Sequence, residues 1–128
     1  MTSQIAPTSV SVAAGPLVGP VLRRVVGMLA ARADLPLDRL DDAMLVTDLI
    51  AARAPEHVTG ETVDVILESG DRSLSLRLGP LRPGGGQALI ADAVVPGVGN
   101  VIEQLADAID FDRADDGDYL RLTLAYAA

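Results

Sequence analysis

A proline and two glycines precede a predicted helix late in the chain, and these residues have the types and spacing to bind an anion. Apolar residues at helical spacing predict a helix over residues 98–108. Pro96 and Gly97 precede this helix, and Gly99 and Asn100 lie in its first turn. The backbone amides of a helix's first turn have no partner within the helix, and the helix dipole favours negative charge there. The segment therefore predicts an anion site that suits phosphate.

Other residues that could do chemistry are an aspartate, a histidine and an acidic stretch. Asp48 lies in a predicted helix, where a solvated carboxylate is its plainest interpretation. His57 is the only histidine, in a chain without cysteine, and it predicts neither a catalytic triad nor a zinc site. The aspartates of residues 110–118 miss the EF-hand spacing, since Ala114 and Asp115 stand where a ligand and a glycine are needed. The sequence thus predicts no metal site.

Composition excludes several classes of function. The 128 residues include ten basic residues, all arginine, and no cysteine. This excludes a P-loop lysine, Schiff-base chemistry, disulfides and thiolate nucleophiles. A net charge of −8 and 2% aromatic residues are atypical of nucleic-acid-binding proteins. No apolar run approaches the roughly 20 residues of a membrane-spanning helix, and the N-terminal residues lack a signal-peptide pattern. We therefore expect a cytoplasmic protein that binds neither nucleic acid nor membrane.

Periodicity predicts the elements that position these residues. Alternating apolar residues predict strands over 8–13, 62–68, 73–78, 110–113 and 119–126. Helical spacing predicts helices over 21–33, 37–53, 87–93 and 98–108. In the second helix, Leu37, Leu40, Met44 and Asp48 approximate one stripe, which Leu45 and Leu49 widen.

The order of these elements predicts the fold class. Strands and helices follow as β-α-α-β-β-α-α-β-β, which is typical of an α+β fold. We expect a two-layer sandwich, with a mostly antiparallel sheet covered on one face by helices, in one domain spanning residues 1–128. Residues 1–7 are expected to be a flexible tail. Residues 79–86, which end in Gly84, Gly85 and Gly86, predict a mobile connector without regular structure.

This order and the placement of the glycines resemble the GHKL (histidine-kinase-like) superfamily of ATP-binding domains, and within it the bacterial anti-sigma-factor serine kinases. The resemblance covers residues 10–124 and is most specific over residues 96–107 and 117–120. The first of these segments looks like the family's second glycine box, which contacts nucleotide phosphates. The resemblance thus implies that Gly97, Gly99 and Asn100 bind ATP or ADP. It also implies that Gly84, Gly85 and Gly86 stand at the position of a nucleotide lid.

Two further family motifs are incomplete. The family's N box carries a glutamate as general base and an asparagine that helps to hold Mg²⁺. Asp48 stands at the first of these positions, but Ala52 stands at the second and its side chain cannot bind a cation. The first glycine box should supply an aspartate to adenine, yet residues 78–86 contain no acidic residue. Because phosphoryl transfer depends on metal and positioning, the resemblance implies a degenerate kinase in which Asp48 is a remnant of the nucleotide site.

Three functions stay open on these grounds. The favoured one is a regulatory pseudokinase without a catalytic residue or cofactor, which binds a sigma factor or an anti-anti-sigma protein and can form a homodimer through its first strand and helix. The alternative is an active serine/threonine kinase that uses ATP and Mg²⁺, with Asp48 catalytic and Asp41, Asp42 or Glu56 as replacement ligands. The third is a sensor that binds a small ligand in the emptied pocket.

Overall fold

The described part of the chain contains seven strands, five of which form one antiparallel sheet, and four helices. The computed structural model describes residues 7–126. Its strands are β1 (Thr8–Ala13), β2 (Thr62–Gly70), β3 (Ser73–Leu81), β4 (Val94–Val95), β5 (Gly99–Asn100), β6 (Ala108–Ala114) and β7 (Gly117–Ala125). Its helices are α1 (Val18–Arg32), α2 (Leu37–Arg53), α3 (Gly85–Asp92) and α4 (Val101–Leu105), with a 3-10 turn at Ala54–Glu56. The five long strands form one sheet in the order β1-β2-β3-β7-β6, and β4 pairs with β5 apart from it. The predicted α+β class is confirmed.

The core lies between the sheet and the helices, as the alternation of apolar residues predicts. Val65 of β2 stands opposite Val10 of β1 and Leu78 of β3, and Leu78 in turn stands opposite Leu120 of β7. The odd positions of β2 and the even positions of β3 and β7 are buried beneath the helices. The largest fully buried side chains include Leu22 of α1 and other aliphatic residues: Ile50, Leu67, Leu81, Leu89, Ile102 and Leu122. Burial of these aliphatic side chains is the main force that holds the two layers together.

The first two helices differ from their predictions in one boundary and one face. α1 begins at Val18, before Pro20, because a proline in the first turn removes only an amide that has no helical partner. α2 has its predicted bounds, but its predicted apolar surface is only partly buried. Leu37 is 75% exposed and Leu45 is 45% exposed, whereas Met44 and Leu49 pack partly against the core. The buried residues of α2 are not leucines and lie at other positions of the helix: Ala43, Val46, Thr47, Ile50 and Ala51.

Residues 79–86 are predicted to lack regular structure, but a strand covers the first of them and a helix covers the last. The prediction is therefore wrong. β3 continues to Leu81, with a register shift after Leu78. Glycine at residue 79 allows β3 to pass this close to β7. A Cβ atom there would clash, because it would lie 2.7 Å from both the carbonyl oxygen of Asp118 and the ring of Tyr119. α3 then begins at Gly85, two residues before the predicted helix start.

The helix predicted over residues 98–108 is also wrong in extent. α4 covers only five residues, and Val98 is 57% exposed before it. Gly99 pairs instead with Val95 in the small hairpin, and the amide of Asp107 donates to the carbonyl of Thr123 at 2.8 Å. Strand pairing at both ends therefore shortens the helix.

Two remaining predictions concern the ends of the chain and the membrane. The predicted tail, residues 1–7, lies outside the described residues except for Pro7. Within residues 7–126, no helix is long and apolar enough to cross a membrane.

Candidate functional site

Asp48 lies on the side of α2 that faces α1, where it forms an ion pair. Arg23 Nη1 donates to Asp48 Oδ2 at 2.5 Å, and both side chains are more than a third exposed. A cleft of about 540 Å³ surrounds this pair. Glu56 also lines the cleft, and the rest of the lining consists of small residues and prolines: Gly15, Pro16, Gly19, Pro20, Ala51, Ala52 and Pro55. The carboxylate at the position of the family's general base is thus paired with an arginine.

The glycines before α4 form a tight turn. Gly97 has φ +80°, a conformation that glycine adopts without strain, and it follows Pro96 as in a type II turn. The amide of Val98 donates to the carbonyl of Val95 at 2.9 Å, which closes the turn between β4 and β5. Gly99 pairs with Val95 across this hairpin and has φ +101°. Both glycines therefore have a local role in the hairpin.

Asn100 caps α4 with one side-chain atom and binds α3 with the other. Its Oδ1 accepts a hydrogen bond from the amide of Glu103 at 3.1 Å, which is the usual bond of an N-cap asparagine. Its Nδ2 donates to the carbonyl of Ile90 at 2.8 Å. Both polar atoms of the Asn100 side chain are therefore engaged within the chain.

The three consecutive glycines form the start of α3. Gly84 has φ +75°, and its amide donates to Asp118 Oδ2 at 3.0 Å. The amide of Gly85 donates to the carbonyl of Arg82 at 2.7 Å. Gly86 is buried against Phe111, whose ring a Cβ atom would meet at 2.8 Å. The chain's own carboxylate and carbonyl groups thus occupy the amides that an anion would need at Gly84 and Gly85.

The candidate residues are not gathered around one cleft. None of the six glycine and asparagine candidates lines the cleft beside Asp48, and Ala52 contributes only a methyl group to it. Of the two other acidic residues considered in α2, Asp42 accepts from Arg39 Nη1 at 2.9 Å. Asp48 contacts α1, Gly84 contacts β7 and Asn100 contacts α3. Because each residue is engaged with a different element, the set does not fit a magnesium nucleotide.

Sequence reasoning missed a cluster beside the cleft. Glu56, His57 and Asp92 each offer a ligand atom, and these atoms lie within 4.8 Å of one another. His57 Nε2 lies 3.1 Å from Asp92 Oδ2, and the histidine side chain is only 16% exposed. No local signal predicts this contact, because 35 residues separate the two partners.

The sheet face away from the helices carries a tyrosine with a perturbed pKa. Burial, and then a hydrogen bond to Asp116 Oδ2 at 2.8 Å, raise the pKa of Tyr119 to about 12. The Arg77 guanidinium lies 4.0 Å from the centre of its ring. Arg77 and Arg121 both lie within ion-pair distance of Asp112. These contacts join β3, β6 and β7 on the face of the sheet opposite the helices.

Within residues 7–126, no strand pairs with the outer edge of β1, and one side of α1 is exposed. β1 is an edge strand, and its sequence TSVSVA holds no charge and no proline. α1 packs against β1 and β2. Leu17, immediately before α1, and Met28 within it are 64% and 61% exposed. They share one helical side with two partly buried valines, Val21 and Val25. We refer to the free edge of β1 and this apolar side as the β1/α1 face.

Comparison with known proteins does not identify a family for this chain. No protein-family model matches it, and no curated protein matches it. Membership of the GHKL superfamily stays a prediction from the motifs quoted above.

Proposed function

We propose that this chain is a non-catalytic regulatory domain that binds another protein through the β1/α1 face. The observation that carries the proposal is the difference between the two edges of the sheet. The edge strand β6 carries Asp110, Asp112 and Arg113, charges that discourage pairing with another strand. β1, at the other edge, carries no such protection. An unprotected edge is a template for a partner's strand.

The apolar side of α1 extends this surface beyond backbone pairing. Leu17 and Met28 are the two large apolar side chains most exposed along it. Burying them against a partner would remove their apolar surface from water, which favours association. A partner that adds a strand at β1 and places an apolar residue over α1 would use both features.

The proposal that the domain is non-catalytic is supported by the side-chain contacts of the candidate residues. Asp48 is paired with Arg23, Ala52 offers no ligand, and both polar atoms of Asn100 are engaged. By the resemblance to anti-sigma-factor kinases, the partner is a sigma factor or an anti-anti-sigma protein in a bacterial cytoplasm. A second copy of the chain would compete for the same face as a homodimer.

Binding to purified partner candidates tests the proposal. Sigma factors and anti-anti-sigma proteins from the source organism would be titrated by calorimetry, with light scattering to follow self-association. We expect the double variant Leu17→Lys, Met28→Lys to weaken complex formation at least tenfold, about 1.4 kcal/mol. Val98→Lys, an exposed apolar position on the small hairpin, is the matched control and should bind like the wild type. Equal binding by all three proteins, or no binding to any candidate, contradicts the proposal.

Thermal unfolding with nucleotide separates this function from that of a kinase. We expect no change in Tm with millimolar ATP or ADP, with or without Mg²⁺. A ligand at about 100 times its Kd would stabilise the folded state by about 2.7 kcal/mol. A Mg²⁺-dependent rise in Tm would favour the kinase and overturn the non-catalytic proposal.

A further inference from the structure

We propose that Glu56, His57 and Asp92 form a binding site for Zn²⁺, beside the cleft that contains Asp48. Glu56 also lines the cleft and is a replacement ligand in the kinase alternative, whereas neither that alternative nor the β1/α1 face uses His57 or Asp92. They come from two elements, since Glu56 and His57 end the 3-10 turn after α2, and Asp92 is the last residue of α3.

Two of the ligand atoms are within hydrogen-bond distance of each other, and the same distance is compatible with two ligands of one ion. His57 Nε2 and Asp92 Oδ2 are 3.1 Å apart. Zinc binds nitrogen and oxygen at about 2.0–2.2 Å, so two ligands lie about 2.9 Å apart at a right angle and about 3.4 Å apart at the tetrahedral angle. The observed distance falls between these values. The carboxylate of Glu56 is exposed, lies within 4.8 Å of the other two ligand atoms, and forms no ion pair within residues 7–126.

Hydrogen bonds to backbone groups hold the two elements in place independently of the three ligand side chains. The amide of His57 donates to the carbonyl of Ala54 at 3.0 Å, and its carbonyl accepts from the amide of Arg82 at 2.8 Å. Arg53 Nε donates to the carbonyl of Asp92 at 2.6 Å, which joins the end of α2 to the end of α3. The elements that carry the three ligands are therefore fixed in position without an ion.

The donor set matches zinc in charge and type. Two carboxylates and a neutral imidazole balance the charge of a divalent cation, and imidazole nitrogen favours Zn²⁺ over Mg²⁺ or Ca²⁺. Three protein ligands leave one tetrahedral position for water, as in open zinc sites. A bound ion would also link the turn after α2 to α3, so it should stabilise the folded state.

Calorimetric titration of the full chain with zinc chloride, after treatment with EDTA, tests the site. We expect one ion per chain, a rise in Tm that EDTA reverses, and at least about tenfold weaker binding in both His57→Gln and Asp92→Asn. Glu61→Gln removes an exposed carboxylate outside the cluster and should bind like the wild type. Asp92 is half-exposed, so its variant keeps the test valid if His57→Gln does not fold.

Two results would overturn the zinc proposal. One is the absence of stoichiometric binding up to about 100 µM free zinc, a concentration at which even a weak site should fill. The other is equal affinity in the wild type, His57→Gln and Asp92→Asn, which would assign binding to other acidic residues of this chain. Neither result bears on the β1/α1 face.

Discussion

Replacing Asn100 with alanine tests whether this residue, predicted to contact phosphate, stabilises the fold. The substitution removes the cap on the Glu103 amide and the bond to the carbonyl of Ile90. Loss of an N-cap side chain costs about 1 kcal/mol. Loss of the partly buried bond to Ile90 costs about 1 kcal/mol more. We therefore expect Asn100→Ala to lower the free energy of unfolding by about 2 kcal/mol.

Urea unfolding followed by circular dichroism measures this change, and a thermal scan checks it. In a domain of this size each kcal/mol lowers Tm by about 4 °C, so we expect a fall of about 8 °C. Asn100→Ser keeps an oxygen that can cap α4 but has no amide to reach Ile90, so about half the loss should remain. Gln104→Ala removes an exposed bond to the carbonyl of Val98 and serves as the control, with a loss of a few tenths of a kcal/mol.

Two outcomes would refute this reasoning about Asn100. If Asn100→Ala unfolds at the same urea concentration as the wild type, the two hydrogen bonds do not stabilise the fold. If Asn100→Ser loses as much stability as Asn100→Ala, capping of α4 contributes nothing and only the bond to Ile90 matters.

Two further changes test contacts that join distant elements. Arg39→Met should lower the free energy of unfolding in urea by about 1–2 kcal/mol, because Arg39 binds Asp42, Asp107 and the carbonyl at the end of β7; an unchanged midpoint would exclude a stabilising role. The pKa of Tyr119 is raised from 10.0 to about 12, so the folded protein keeps a proton that the unfolded chain loses. Stability from this group is present below pH 10 and is lost as the pH rises toward 12. Between pH 9 and pH 11, the free energy of unfolding measured in urea should fall less in Tyr119→Phe than in the wild type. An equal fall in the two proteins would exclude Tyr119 as the source of this pH dependence.

Local patterns in the sequence determined most of the elements. The alternation of Leu74, Leu76 and Leu78 predicts which face of β3 is buried, because side chains alternate across a strand whatever its neighbours are. The bounds of α2 are also predictable, since Pro36 precedes its first residue and Pro55 follows its last turn. Such signals act within a few residues of chain.

Only the tertiary structure decided which helical face is buried and which residues meet. α2 has several apolar stripes, and its contacts with α1, α3 and α4 bury the one that contains Ile50 rather than the one that begins at Leu37. α4 is short because strand pairing holds the residues on both sides of it. Neither outcome can be read from periodicity, which describes a segment without its neighbours.

The candidate site shows the same division between local and distant effects. The turn at Gly97 is a local property of proline followed by glycine, and the sequence determined its position. The partners of Asp48, His57 and Gly84 lie 25, 35 and 34 residues away in the chain. Which charged or polar group meets another across such distances depends on how the sheet and helices pack, so only the folded structure brings these pairs together.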